Sequence, residues 1–253
     1  NVVDRVIALT RLESRLVRRA YWVPRSKRGV ISWGATPPES PAEKEDSPAS
    51  PLGGRTWNGL DPQEDAGPLT ILCVGRLGQH KGQGWLLDVF KEARPYFQQP
   101  VRLVLVGRDE GAWTNIAQTV RVAGLEEEVL LTGEVSDAEL AAWYSKSKVF
   151  ALFSRYEAFG LVFFEAMTHG VPVLTHDVGA NGELLIKGAE VVPPFDRQAA
   201  VQKLVRLVND EGYRAQLGSE AQSYALAEFT WAATAGKYLL EYRVPGKAIS
   251  SKS

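Results

Sequence analysis

From residue 69 onward the chain alternates short apolar runs with longer amphipathic ones, and this alternation decides the fold class. The apolar runs are TILCVG, VRLVLVG, EVLLTG, KVFALFS, VPVLTHD and AEVVPP. Each is too short for a typical helix and lacks polar alternation along its middle, the mark of a strand buried on both faces. Between the first two, Trp85, Leu86, Val89, Phe90 and Ala93 recur at helical spacing on one face. A second helix is predicted from Trp113 to Ala123, stopped by Gly124, and Ser136 with Glu139 forms a capping box opening DAELAAWYSK. Terminal helices run from about Asp196 to Tyr242. Strands and helices in this order predict an α/β domain: a Rossmann-like parallel sheet with helices on both faces, joined by right-handed crossovers.

The first 35 residues read as strand (VVDRVIALT), basic helix (RLESRLVRRAYWV) and strand (KRGVISWG), too little to form a domain alone. Residues 36–68 change to Pro, Ser, Gly and acid, centred on PPESPAEKEDSPASP, and read as a flexible acidic linker. Residues 1–35 carry eight basic and two acidic side chains (net +6), and 36–68 two basic and seven acidic (net −5), so the two pieces are expected to attract. Residues 69–243 form the regular domain and 244–253 a tail. The chain opens NVVDRV without a methionine, which reads as a fragment or a processed product.

Over the whole chain Lys plus Arg number 29 against 30 for Asp plus Glu, so no overall field attracts nucleic acid. The single cysteine, Cys73, excludes an internal disulfide framework and reads as a strand-core residue, in keeping with a cytoplasmic setting. No apolar run approaches the roughly eighteen residues of a membrane span. The basic stretch from Arg11 to Arg28 has two readings, a peripheral contact with anionic lipid or a helix whose Trp22 and Val23 pack on protein.

Ligands of open α/β sheets bind beyond the carboxyl ends of the strands, so the turns there are the candidate site. The first, GRLGQHKG, places Arg76 and Lys81 on a glycine-bearing loop before a helix, where two cations suit a diphosphate. Taken alone such a loop is more often a solvated turn, and it lacks the order of a GxxxxGK[ST] phosphate loop. A later turn, RYEAFGLVFFEAMTHGVPV, sets Glu157 before a helix that starts near Gly160 and Glu165 a turn and a half inside it. The first amides of that helix lack intrahelical partners and suit an anion. Glu165, an acid among apolar residues, needs donors such as vicinal ribose hydroxyls. The alternative makes Glu157 a loop acid and Glu165 the partner of a nearby cation. No D-x-D pair occurs, and His80, His169 and His176 lack metal-ligand spacing, so no metal is expected. His169 and Met167 read as packing residues.

The series GRLGQHKG, VRLVLVG, VLLTGEVSDAEL, S-x-x-E-A-F-G-L-x-x-x-E-A-M-x-x-G-x-P-V and GANGE resembles the retaining glycosyltransferases of family 4, which have the GT-B fold. The likeness covers about 69–243, and 1–35 resembles the last strand-helix-strand of that family's N-terminal, acceptor-binding domain. It implies the C-terminal half of a GT-B enzyme moving a hexose, with retention, from a nucleoside-diphosphate sugar to a hydroxyl acceptor. The E-x7-E motif maps onto Glu157 and Glu165. By the same resemblance Arg76 and Lys81 contact the donor diphosphate, and Glu157 with Phe159 and Gly160 holds the donor sugar. Leu161 and Val162 offer amides to phosphate, Glu165 binds the ribose, and the Gly133-Glu134-Val135 turn lies against the base. The donor is a substrate and no cofactor is implied. The rest of the N-terminal domain is then an expected partner. Another GT-B activity, such as a sugar-nucleotide epimerase, and a noncatalytic nucleotide- or protein-binding module stand as alternatives.

Overall fold

The computed structural model describes residues 5–38 and 67–242. Most of the stretch read as a linker and the whole of the tail fall outside the described residues, and with them the expected attraction between basic and acidic pieces. The first segment is β1 (Val6–Ala8), α1 (Arg11–Tyr21) and β2 (Arg28–Val30), with β1 and β2 paired in parallel as a two-stranded sheet.

The remainder is β3 (Leu69–Val74), α2 (Gln83–Ala93), β4 (Val101–Val106), α3 (Trp113–Val122), β5 (Val129–Gly133), α4 (Asp137–Lys146) and β6 (Val149–Ala151). It continues through α5 (Leu161–Thr168), β7 (Val173–His176), α6 (Asn181–Leu184), β8 (Ala189–Val192), α7 (Arg197–Asn209), α8 (Glu211–Glu228) and α9 (Trp231–Tyr242). The six strands β3 to β8 form one parallel sheet in the order β5-β4-β3-β6-β7-β8. Every residue of β3 is buried, as a strand covered on both faces requires. Cys73 is among them, and burial pushes its thiol up to about 12. Helix α2 packs against both α3 and α7, while α5 packs on α8. The expected capping box is present at Ser136 and Glu139, and Gly124 adopts positive φ just beyond α3.

The chain runs outward from β3 to β5, then returns across the sheet to β6. That reversal leaves a crevice between the loops that follow β3 and β6, where open α/β sheets bind ligands. The first segment sits against this end of the domain. Trp33 meets Phe159 edge-on at 6.0 Å, and the carboxylate of Glu183 in α6 accepts the first two amides of α1, from Arg11 at 2.5 Å and Leu12 at 3.1 Å. Helix α9 reaches the same segment through an Arg5–Glu241 ion pair of 2.5 Å and a Thr234 hydroxyl donating to the Ser32 carbonyl at 3.0 Å. On α1 itself Tyr21 and Trp22 are solvent-exposed, and Trp22 holds the left-handed conformation that ends the helix.

Candidate functional site

Lys81 and Glu157 meet in the crevice. Lys81 follows β3 and Glu157 follows β6, and the ammonium of Lys81 donates to Glu157 Oε1 at 2.7 Å. Ser154, at the end of the β6 run, donates its hydroxyl to the same oxygen at 2.7 Å. Among the described residues no bond is made by Oε2, so one carboxylate oxygen is fixed by protein and the other is left over. The side chains of Lys81 and Glu157 are 19% and 9% exposed, so the pair is strong enough to hold its geometry but leaves a costly orphan if one member is lost. Arg76 is brought to the same loop but turns outward, to an exposed ion pair with Glu110 at 2.7 Å. Arg108 approaches the same Glu110 oxygen at 3.6 Å.

The backbone of Glu157 is fixed from the β7 side. Its carbonyl accepts from the amide of Ala180 at 2.9 Å. Gly179 has φ 59°, and a Cβ there would fall 2.0 Å from the same carbonyl, so only glycine permits the approach. At the other end of the loop Gly160 takes φ 74° and no side chain caps α5. The first amides of α5, those of Leu161 and Val162, therefore face out of the helix end, as the sequence predicts. The Phe159 ring does not line the opening: it is buried against Phe164 and Phe229, leaving only its backbone to the site.

Glu165 lies on α5 and is half-buried. Its Oε2 accepts from the Tyr144 hydroxyl at 2.8 Å. The expected alternative partner, a nearby cation, gives way to this phenol, which α4 carries over the same face of the sheet. Burial raises the Glu165 pKa above the ordinary carboxylate value, the Tyr144 bond offsets part of that, and the negative charge of Asp137 adds to the rise. Tyr144 stacks in turn on His169 at 5.5 Å, and Met167 is fully buried, so both act in packing. The Gly133-Glu134-Val135 turn stands over the neighbouring strands, with Val135 packed on the core, Glu134 exposed and the Trp113 ring beside Gly133.

Several site residues have weak sequence signals. Ser154 stands three residues before Glu157 within the motif, which gives a local clue. Tyr144, Glu110 and His176 are joined to the site by contacts across 21, 34 and 22 positions, which no local pattern encodes. Among the described residues no group of three His, Cys, Asp or Glu side chains is placed to hold a metal ion, and no helix is long and apolar enough to cross a membrane.

Comparison with known proteins identifies the fold and the family. The D-inositol 3-phosphate glycosyltransferase of Xylanimonas cellulosilytica is 32% identical over 177 residues, covering 68% of this chain and 41% of that enzyme. The sucrose-phosphate synthase of Thermosynechococcus elongatus superposes with a TM-score of 0.72 at 27% identity, over 95% of this chain and 58% of that one. Anabaena HepE, solved in complex with UDP and glucose, gives a TM-score of 0.75 at 21% identity, over 94% of this chain and 63% of that one. These neighbours are GT-B glycosyltransferases, and the chain has their fold. The chain spans under half the length of curated relatives such as the first. Residues 61–224 match the family model described as glycosyl transferases group 1, and the chain belongs to that family.

Proposed function

We propose that this chain supplies the donor-binding part of a retaining glycosyltransferase of family 4, which moves a hexose from a nucleoside-diphosphate sugar to a hydroxyl acceptor. The observation that carries the proposal is the convergence of Lys81 and Glu157 at the sheet's reversal point, beneath the uncapped start of α5. In the reaction the bond from the sugar's anomeric carbon to the diphosphate breaks and a bond to the acceptor oxygen forms. The acceptor proton passes to the departing phosphate oxygen. Arg76, Lys81 and the amides of Leu161 and Val162 offset the negative charge that grows on the leaving group. Glu157 holds sugar hydroxyls through Oε2, and Glu165 holds the ribose with the oxygen not taken by Tyr144. The turn at Val135 abuts the base. These groups supply the electrostatics without a metal, so a chelator is expected to leave nucleotide affinity unchanged. The acceptor falls to an N-terminal domain of which β1, α1 and β2 are the end.

Calorimetric titration of UDP, GDP and ADP into the folded chain and its Glu165→Ala and Arg76→Ala variants tests the proposal. One nucleotide is expected to bind best, with each substitution weakening it about tenfold. A folded chain that binds none of the three at millimolar concentration refutes the donor-site assignment. Stereochemistry is read by proton NMR of the sugar that the enzyme first releases to water, with the donor's anomer expected. Contact of α1 with anionic lipid is a separate part of the proposal, supported by Arg15, Arg18 and Arg19 beside the exposed Tyr21 and Trp22, and vesicle flotation tests it.

A further inference from the structure

His176 closes β7 without touching Glu157, yet its ring is wired to it. The side chain is fully buried, and Nε2 lies 2.5 Å from the carbonyl oxygen of Ser154. A carbonyl only accepts, so Nε2 carries the hydrogen. Nδ1 is then the acceptor, and it faces the amide of Phe195 at 3.4 Å. The same Ser154 whose carbonyl is held by the imidazole gives its hydroxyl to Glu157 Oε1. One residue thus links a histidine on β7 to the carboxylate on the β6 loop.

The surroundings keep the ring in that one orientation and in its neutral form. Trp85, Phe153 and Phe195 surround it with centroids at 5.7, 5.6 and 4.9 Å. Burial lowers the imidazole's pKa, with the Ser154 bond acting the other way. Phe195 occupies positive φ, 58°, a conformation costly for an aromatic residue, and it does so while presenting its amide to Nδ1 and its ring edge to the imidazole. A core that needed only volume here would be met by leucine or phenylalanine, with no polar ring to satisfy.

We infer that His176 is a positioning residue for the donor sugar: by fixing the Ser154 carbonyl it sets the Ser154 hydroxyl, and through it aims the open oxygen of Glu157. Lys81 holds Glu157 Oε1 from the loop after β3, and the Ser154 hydroxyl, held from behind by His176, bonds the same oxygen from the β6 side, so Oε1 is fixed between two donors and Oε2 is left for the sugar. The inference rests on the donor-site assignment above and adds to it a division of labour. His176 governs how the sugar is held and leaves the nucleotide, gripped around Glu165 and α5, unaffected.

The experiment compares the dissociation constants of UDP-glucose and UDP, GDP-mannose and GDP, and ADP-glucose and ADP, for the parent chain and three variants. His176→Leu removes the donor to Ser154, His176→Asn keeps an amide too short to reach it, and His176→Gln restores an N–H near the Nε2 position. For the pair that the parent prefers, the leucine and asparagine variants are expected to weaken the sugar nucleotide about tenfold while the bare diphosphate changes by less than about twofold. Glutamine is expected to return the ratio to within about threefold of the parent. A role confined to packing moves both constants together and is not rescued by glutamine, and that result overturns the inference. So does an unchanged ratio in the asparagine and leucine variants. A parent chain that binds no nucleotide overturns the donor-site assignment itself, and the positioning role with it, which separates the two failures.

Discussion

Glu165 and Tyr144 share one hydrogen bond of 2.8 Å that fixes Oε2 of a half-buried carboxylate and leaves Oε1 to a ligand. Burial raises the pKa of that carboxylate, so in the folded chain the neutral acid is favoured relative to an ordinary glutamate near 4.3. The sign has two consequences. The folded state binds more protons at this position than the unfolded one, so stability falls as pH rises from about 4.3 through the raised value, and the ionised form is a cost at neutral pH. A ribose bound through a carboxylate needs the ionised form. Glu165→Gln is therefore expected to raise the melting temperature at pH 7 and to weaken nucleotide binding there. Tyr144→Phe deletes the bond that holds the pKa down, so binding should be lost on acidification at a higher pH than in the parent. Melting curves and titrations between pH 5 and 8 check both signs.

The Lys81–Glu157 pair is expected to show strong coupling in denaturant unfolding. Removing Lys81 alone leaves a buried carboxylate with only Ser154 as donor, and breaking such pairs costs about 3–5 kcal/mol. Glu157→Gln alone leaves the ammonium with a neutral acceptor. The double variant Lys81→Met, Glu157→Gln has no unpaired charge and should be more stable than Lys81→Met by about 2 kcal/mol. Additive losses in the cycle mean that water reaches the pair freely.

Glu110 competes with any phosphate for Arg76 and Arg108. The pair with Arg76 is exposed, so its contribution to stability is within about 1 kcal/mol. Glu110→Gln is expected to leave the melting temperature nearly unchanged while raising nucleotide affinity severalfold at low ionic strength. The gain should shrink at high salt, where screening acts within about 3 Å at 1 M. Weaker binding in the variant instead assigns Glu110 to holding Arg76 in place.

The sheet and its helices were legible because the central strands β3, β6 and β7 are buried throughout and β4 nearly so, and each of them appears as a largely apolar run. The Glu157 to Glu165 segment was legible for a similar reason: Gly160 takes positive φ at the helix start, and one acid just before an apolar helix with another inside it has no packing use. The partners that hold these acids were not legible. Tyr144 looks like any aromatic on an amphipathic helix, and His176 like the end of a strand, because their roles depend on which strands lie side by side. The order β3-β6-β7 puts Ser154, three residues beyond β6, beside His176 at the end of β7, and only pairing through space reveals it. Glu183 in GANGE shows the same limit, since nothing in its neighbourhood announces a helix that lies 171 positions away.

That helix gives the last prediction. The start of α1 presents amides with no intrahelical partner, and each is matched: Glu13 N–H donates to the Thr10 hydroxyl at 3.0 Å, while those of Arg11 and Leu12 go to the two oxygens of Glu183. A carboxylate facing the positive end of a helix gains from the dipole as well as from the two bonds. Glu183 thus caps α1 from another element and ties the first segment to the loop beside Glu157, whose carbonyl meets Ala180 in the same turn. Glu183→Ala should cost about 1–2 kcal/mol, the upper range for loss of a helix cap. The loss should be local. Hydrogen exchange is expected to accelerate in the first turn of α1, and trypsin to cut sooner at Arg15, Arg18 and Arg19, while the amides of β3 and β4 keep their protection. Glu183→Gln, with one oxygen still able to accept, should fall between. If α1 and the central strands lose protection together in the alanine variant, the first segment is part of the same cooperative unit as the sheet, and Glu183 stabilises the whole rather than fastening one piece to the other.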